Sequence, residues 1–272
     1  ALQRRQGRSP AGRQPCTLVE HPDVQRMLLT QKAWTEGGRA LVHWAALLID
    51  QARRHPDAGQ ARAAGELLGL LTPIIKGFLS ENAQQSISLA LQTFGGHGYM
   101  RDTGIEQLVR DARVITLYEG TTGIQGQDLL LRKVLGDGGR RLELLFTRVN
   151  DWLAGAGSSA AMAEFAAPLA RLRDELQSLT ATLGARAREN PGAALAASTV
   201  YLRLAGHLVL AWLWARMAHA SLQGAGRGDA WYALKLETAR FYFTQLLPET
   251  QALRAAALAP ATDTAALLAA SH

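Results

Sequence analysis

The chain has 272 residues, 48% of them hydrophobic and only 6% aromatic, with a formal charge of +6. That length allows one large or two modest domains with a substantial core, and an alanine-rich, aromatic-poor composition suits packed helices rather than a β-sandwich. The single cysteine, Cys16, excludes an internal disulfide and fits a reducing, cytoplasmic setting.

No run of about 18 apolar residues is free of charge, which argues against a membrane-spanning helix, and no signal peptide opens the chain. The positive charge comes mostly from arginine, without a basic block interleaved with aromatics. It reads as solvated surface or as a surface for phosphate-bearing ligands, with nucleic-acid binding as the alternative.

Residues 1–7 read as the end of a helix already under way, as in a piece of a longer polypeptide. Residues 7–20 read as a linker, because Gly7, Pro10, Gly12 and Pro15 all interrupt helix. A long helix is predicted over 22–54, with proline tolerated in its first turn and Met27, Trp34, Leu41, Trp44 and Leu48 at helical spacing. Gly37 and Gly38 within it permit a kink or close packing. A second long helix is predicted over 60–94, kinked at Pro73.

The stretch from Gln92 to Gln127 has three parts. Phe94-Gly95-Gly96-His97-Gly98-Tyr99 is a glycine-dense turn, able to take positive φ and to let another group come close. A short amphipathic helix follows, with Ile105, Leu108, Val109 and Ala112 on one face and Glu106, Arg110, Asp111 and Arg113 on the other. Tyr118-Glu119-Gly120-Thr121-Thr122-Gly123-Ile124-Gln125 then sets a loop carboxylate just before a helix start, where Thr122 and Gln125 have capping-box spacing. Taken alone, the turn reads equally as a tight helix connection, and a lone glutamate at Glu119 reads as a surface acid favouring the helix dipole.

A helix is predicted over 123–135, and Gly136-Asp137-Gly138-Gly139 marks an internal boundary. Helices are predicted over 142–153, 160–188, 193–222 and 231–258, broken by Asn190-Pro191-Gly192 and Gly224-Ala225-Gly226-Arg227-Gly228. The run from Tyr201 to Met217 reads as a buried bundle helix with His207 as a hydrogen-bonded core histidine. Trp212, Trp214, Trp231 and Tyr232 read as packing residues. No metal-ligand spacing, phosphate-binding loop or Ser-His-Asp arrangement is present.

In combination, the Gln-x-x-Gly-Gly-x-Gly-Tyr turn at 92–99, the Arg-Asp-Ala-Arg helix at 110–113 and Tyr-Glu-Gly-Thr at 118–121 resemble the C-terminal helical domain of the acyl-CoA dehydrogenases. The resemblance implies an all-α fold: a four-helix up-and-down bundle over 1–136, then a second helical bundle over 137–272 like the extension of the larger family members. It implies α,β-dehydrogenation of an acyl-CoA thioester in fatty-acid metabolism, with FAD as cofactor and an electron acceptor such as an electron-transfer flavoprotein. It also implies a homo-oligomer, dimer or tetramer.

Glu119 matches the catalytic base, which must accept a proton near neutral pH. Gly120 matches the residue whose N–H faces the thioester carbonyl. Gln92, Gly95 and Gly96 match positions receiving the adenosine part of FAD, usually across a subunit boundary. Thr121 and Gly123 match further FAD contacts, Gly123 standing where some members carry glutamine. Arg4 matches an arginine that meets the FAD pyrophosphate, and Gly7 stands where the family has phenylalanine. His97 reads as a polar turn residue. The alternative is a non-enzymatic relative of the same fold that binds nucleic acid, against which the retained Glu119 speaks.

Overall fold

The structure, a computed structural model, describes residues 1–8, 12, 15–225 and 229–259. Pro10 of the expected linker and residues 226–228 of the glycine-rich break lie outside them. Two long helices, α1 (Pro22–Arg54) and α2 (Ala58–Phe94), pack as an antiparallel hairpin. Pro22 opens α1 at a position where its missing N–H costs nothing. Asp57 opens α2, its carboxylate accepting from the Gln60 N–H at 2.8 Å. The buried stripe of α1, with Met27, Trp34, Leu41 and Leu48, faces Leu67, Leu70, Ile74 and Phe78 of α2. α2 continues through Pro73 as one element.

The chain then turns into α3 (Ile105–Ile115), which lies back along α2. α4 (Thr122–Gln127) follows and widens into π-helical turns over Asp128–Val134. After the glycine boundary come α5 (Arg140–Ala154), α6 (Ala163–Glu189), α7 (Pro191–Ala225) and α8 (Ala230–Phe241). π-helical turns over Tyr242–Leu246 lead to α9 (Glu249–Leu258). The all-α expectation is met, and the long helices end within a few residues of their predicted limits.

α7 is the hub. It packs against α1, α2 and α4 of the first half and against α6, α8 and α9 of the second. One continuous hydrophobic cluster runs from Ala33 to Ala257 through both halves. Glycines make the junction close. A Cβ on Gly126 of α4 would come 2.8 Å from the Ser198 carbonyl of α7, and one on Gly206 of α7 would enter the Phe78 ring of α2. Gly37 serves the same end, facing Trp214 and Leu210. α2 and α7 are long and apolar enough to cross a membrane by length and composition, yet 72% of the apolar window of α7 is buried inside the protein.

A polar cluster lies inside this junction. Arg203 of α7 pairs with Glu249 and donates to Asn82 Oδ1 of α2 at 3.1 Å. His207 is fully buried, sharing a 3.1 Å hydrogen bond with the Tyr242 hydroxyl and standing 3.6 Å from Glu249. Burial lowers the His207 pKa below its ordinary 6.5, outweighing the pull of Glu249. Partial burial pushes Glu249 up, but Arg203 and His207 together outweigh that and hold its carboxyl down to about 2. His207 is thus a hydrogen-bonded core histidine, as its sequence setting implied.

Four local expectations are corrected. Residues 1–7 are not helical: Arg5–Arg8 and Pro15–Thr17 form a two-stranded antiparallel ribbon, β1 and β2, with Gly7 at φ 73°, outside helical space. The helix cap before Gly123 falls one residue early: Thr121 accepts from the Ile124 N–H at 3.4 Å, which frees the Thr122 hydroxyl to reach α2. The segment expected as one helix over 231–258 is interrupted by the π turns and by Pro248, which has no N–H to continue it. Trp231 is exposed, with Lys235 Nζ 4.8 Å from its ring centre, while Trp212 and Trp214 are buried as expected.

Candidate active site

The sequence-singled residues fall in two places, at opposite ends of α3. At one end is the glycine turn. Gly95 closes α2 at φ 63°, its N–H donating to the Gln92 carbonyl. A Cβ on Gly95 or Gly96 would meet open space, whereas one on Gly98 would come 2.6 Å from the Leu91 carbonyl. Gly98 therefore shapes the turn, and Gly95 and Gly96 leave bare backbone facing outward. Gln92 is exposed on the last turn of α2. Arg4 joins this group from the N-terminal segment, its Nη1 lying 3.2 Å from His97 Nδ1. The polar turn residue thus has a definite partner.

At the other end is the loop from α3 to α4. Glu119 is exposed and sits at φ 55°, the one non-glycine residue with positive φ among the described residues. Such a conformation costs an L-residue about 1–2 kcal/mol, so the surroundings must hold it. Gly120 follows at φ 89°, and a Cβ there would come 2.7 Å from Gln125 Nε2. That same Nε2 donates to the Glu119 carbonyl at 3.1 Å. Thr121 caps α4, and Gly123 lies in its first turn. Glu119 therefore stands just before a helix N-terminus, with its side chain in solvent and free backbone N–H groups beside it.

Two residues that sequence reasoning did not single out hold this loop to α2. Lys76 Nζ donates to the Ile115 carbonyl at 2.6 Å and stands 5.8 Å from the Tyr118 ring centre. The Thr122 hydroxyl donates to Glu81 Oε1 at 2.5 Å. They are the two charged residues of α2 between Pro73 and Ala83, but nothing in the sequence names their partners.

The glycine turn and Glu119 lie at opposite ends of α3, an 11-residue helix about 16 Å long. Around both ends the surface is apolar and open, with Tyr99, Met100, Leu108, Leu117, Tyr118 and Ile124 exposed. Leu108 was expected on the buried face of α3; instead Ile105 and Ala112 bury that face.

A family profile described as "Acyl-CoA dehydrogenase, C-terminal domain" matches residues 4–133, and one described as "Acetyl-CoA dehydrogenase C-terminal like" matches residues 145–267. The chain belongs to the acyl-CoA dehydrogenase family.

Among curated relatives, 3-methylmercaptopropionyl-CoA dehydrogenase of Ruegeria pomeroyi is 39% identical over 86% of this chain and 40% of its own length. The broad-specificity linear acyl-CoA dehydrogenase FadE5 of Mycobacterium tuberculosis is 36% identical over 85% of this chain and 40% of its own. The chain thus spans about two fifths of the length of these relatives. Caenorhabditis elegans ACDH-11, solved in complex with C11-CoA, shares the fold with a TM-score of 0.61, at 23% identity over 88% of this chain and 38% of its own.

Proposed function

We propose that this chain is the C-terminal portion of a FAD-dependent acyl-CoA dehydrogenase, with Glu119 as the base in α,β-dehydrogenation of an acyl-CoA thioester. The observation that carries the reading is Glu119 itself, a solvent-facing carboxylate held at φ 55° directly before a capped helix N-terminus. Strain of this kind persists where a side chain must point in one direction. The carboxylate takes the α proton. The Gly120 N–H, on a residue where no side chain fits, donates to the thioester oxygen as enolate charge develops.

FAD, when bound, supplies the acceptor for the β hydrogen. The residues present fit one end of it: Gly95 and Gly96 offer open backbone and Gln92 an exposed amide, and Arg4 is tied to the same turn through His97. Thr121 and Gly123 would touch the cofactor nearer Glu119. The span along α3 agrees with two half-sites used by different copies in a dimer or tetramer. An acyl-CoA substrate is supported by the names of the curated relatives, and an electron-transfer flavoprotein is the proposed electron acceptor.

Glu119→Gln in the complete enzyme tests the reading. Glutamine keeps the shape and removes the base, so turnover of a saturated acyl-CoA should fall at least about a hundredfold with FAD still bound. Near-normal turnover would overturn the assignment.

A further inference from the structure

We propose that Lys76 and Glu81 of α2 are positioning residues for the Glu119 carboxylate, clamping both ends of its loop. The proposal rests on the reading of Glu119 as the base. The loop leaves α3 at Ile115 and enters α4 at Thr122, and each end has a charged tether on the same helix. Lys76 takes the Ile115 carbonyl at 2.6 Å, one of the last carbonyls of α3, which have no helical partner. Glu81 takes the Thr122 hydroxyl at 2.5 Å, at the first residue of α4. Both bonds carry a charge on one side, which makes them stronger and more directional than neutral ones.

Between the tethers α2 presses on α4 directly. A Cβ on Gly77 would come 3.2 Å from Gln125 Cβ, and Gln125 is the residue whose amide holds the Glu119 carbonyl. α7 closes the other side through Ser198 against Gly126. The loop is therefore held at the Ile115 and Glu119 carbonyls and at the Thr122 hydroxyl. A left-handed glutamate relaxes when its flanks are released, and relaxation would swing the carboxylate away from the substrate carbon. A misplacement of about 1 Å is enough to reduce turnover up to about a hundredfold. Lys76 and Glu81 act through backbone geometry, so their loss should reduce turnover without preventing substrate capture.

The test uses the complete enzyme carrying Thr122→Val, Thr122→Ser, Glu81→Leu, Lys76→Met and the double variant Glu81→Leu/Thr122→Val. Thr122→Val keeps the shape and deletes the hydroxyl. The expected result is a kcat lowered roughly ten- to a hundredfold with KM within about threefold of the parent. Flavin content and melting temperature should stay near those of the parent, Thr122→Ser should restore turnover, and the double variant should be no worse than the poorer single one. Amide hydrogen exchange over residues 116–121 should quicken in Thr122→Val and in Lys76→Met.

An unchanged kcat in Thr122→Val, a loss matched by lost flavin, or unchanged loop exchange each overturns the clamp. A dead Glu119→Gln beside an unaffected Thr122→Val removes the clamp alone. Normal turnover in Glu119→Gln removes the functional reading and the clamp together.

Discussion

At the scale of single residues, Glu119 is the one non-glycine among the described residues with positive φ. Its left-handed backbone is a fixed cost that glycine would not bear. Glu119→Gly should therefore leave the fold as stable as the parent, or more so by up to about 1 kcal/mol, while eliminating turnover. Chemical denaturation reads the first effect and an activity assay the second. A glycine placed in the middle of α2 would do the reverse, destabilising the protein by roughly 0.5–1 kcal/mol.

His207 and Glu249 give the second residue-scale prediction. Both have folded-state pKa values below their ordinary ones, so each stabilises the fold above its ordinary value and ceases to as pH falls. For His207 that loss begins below about pH 6.5, and for Glu249 it runs from 4.5 down to about 2. The melting temperature should be level near neutrality and fall on acidification. His207→Phe should lower the plateau, through the lost Tyr242 contact, yet flatten the slope between pH 6.5 and 4.5. A parent slope that survives the substitution would assign the sensitivity elsewhere.

The identity of Glu119 as a candidate was legible because a carboxylate between a tyrosine and a glycine-threonine helix start is a local pattern. Its φ was not, because no local rule demands strain at a glutamate. Lys76 and Glu81 were invisible for another reason. They act on carbonyl and hydroxyl partners 39 and 41 residues away, and sequence spacing carries no trace of such a bond.

At the scale of elements, two glycines should behave oppositely. Gly126 has no room: even one methyl group must push α4 off the α7 backbone, so Gly126→Ala should destabilise by about 1–3 kcal/mol. Gly96 has nothing around it within this chain, so Gly96→Val should leave the melting temperature of the chain near the parent value. In the complete enzyme the same Gly96→Val should weaken flavin retention and the oligomer together, because the side chain would occupy the space a dinucleotide and a neighbouring copy would share. Full flavin content would reduce the turn to a connection.

Helical spacing carried the long elements well: Met27, Trp34, Leu41 and Leu48 are buried or nearly so, and the chain breaks at His55–Asp57 as its proline suggests. The misses are at ends. A cap depends on which of two adjacent threonines turns inward, and Thr121 and Thr122 are equivalent until α2 supplies Glu81. The ribbon at Arg5–Arg8 exists because Pro15–Thr17 pairs with it, which no window of seven residues contains.

At the scale of the whole molecule, the distribution of apolar surface decides behaviour. The core through α7 is continuous and well filled, while the face around Tyr99, Leu117 and Tyr118 is bare. Expressed alone, residues 1–272 should fold as a helical oligomer without flavin or activity. On the proposed reading, the described residues offer groups for one end of FAD and no enclosure for the isoalloxazine ring, whose burial is worth several kcal/mol on an area of order 100–200 Å². Visible absorbance and size-exclusion mass check both halves of this expectation, and a yellow monomer would contradict it. The fold class was legible from composition and spacing, and α7 was flagged as buried because it is apolar on all sides. What spacing could not convey is which helices α7 would touch, since an all-round apolar helix gives no preferred face.

That hub has a consequence for how the chain can be divided. The backbone between residues 136 and 139 is a glycine-rich surface turn, with Gly138 and Gly139 both left-handed, and looks like a natural seam. Cutting there would not liberate two independent pieces. The first would carry an uncovered trough where α7 had lain, and the second an unclothed α7 flank carrying Leu202, Leu210 and Trp214, which face Gly77 and Gly37 of the first half. The two fragments should instead reconstitute when mixed, each acting as the folding template of the other. The seam at 136–139 is thus a place to split this protein for complementation rather than a place to shorten it.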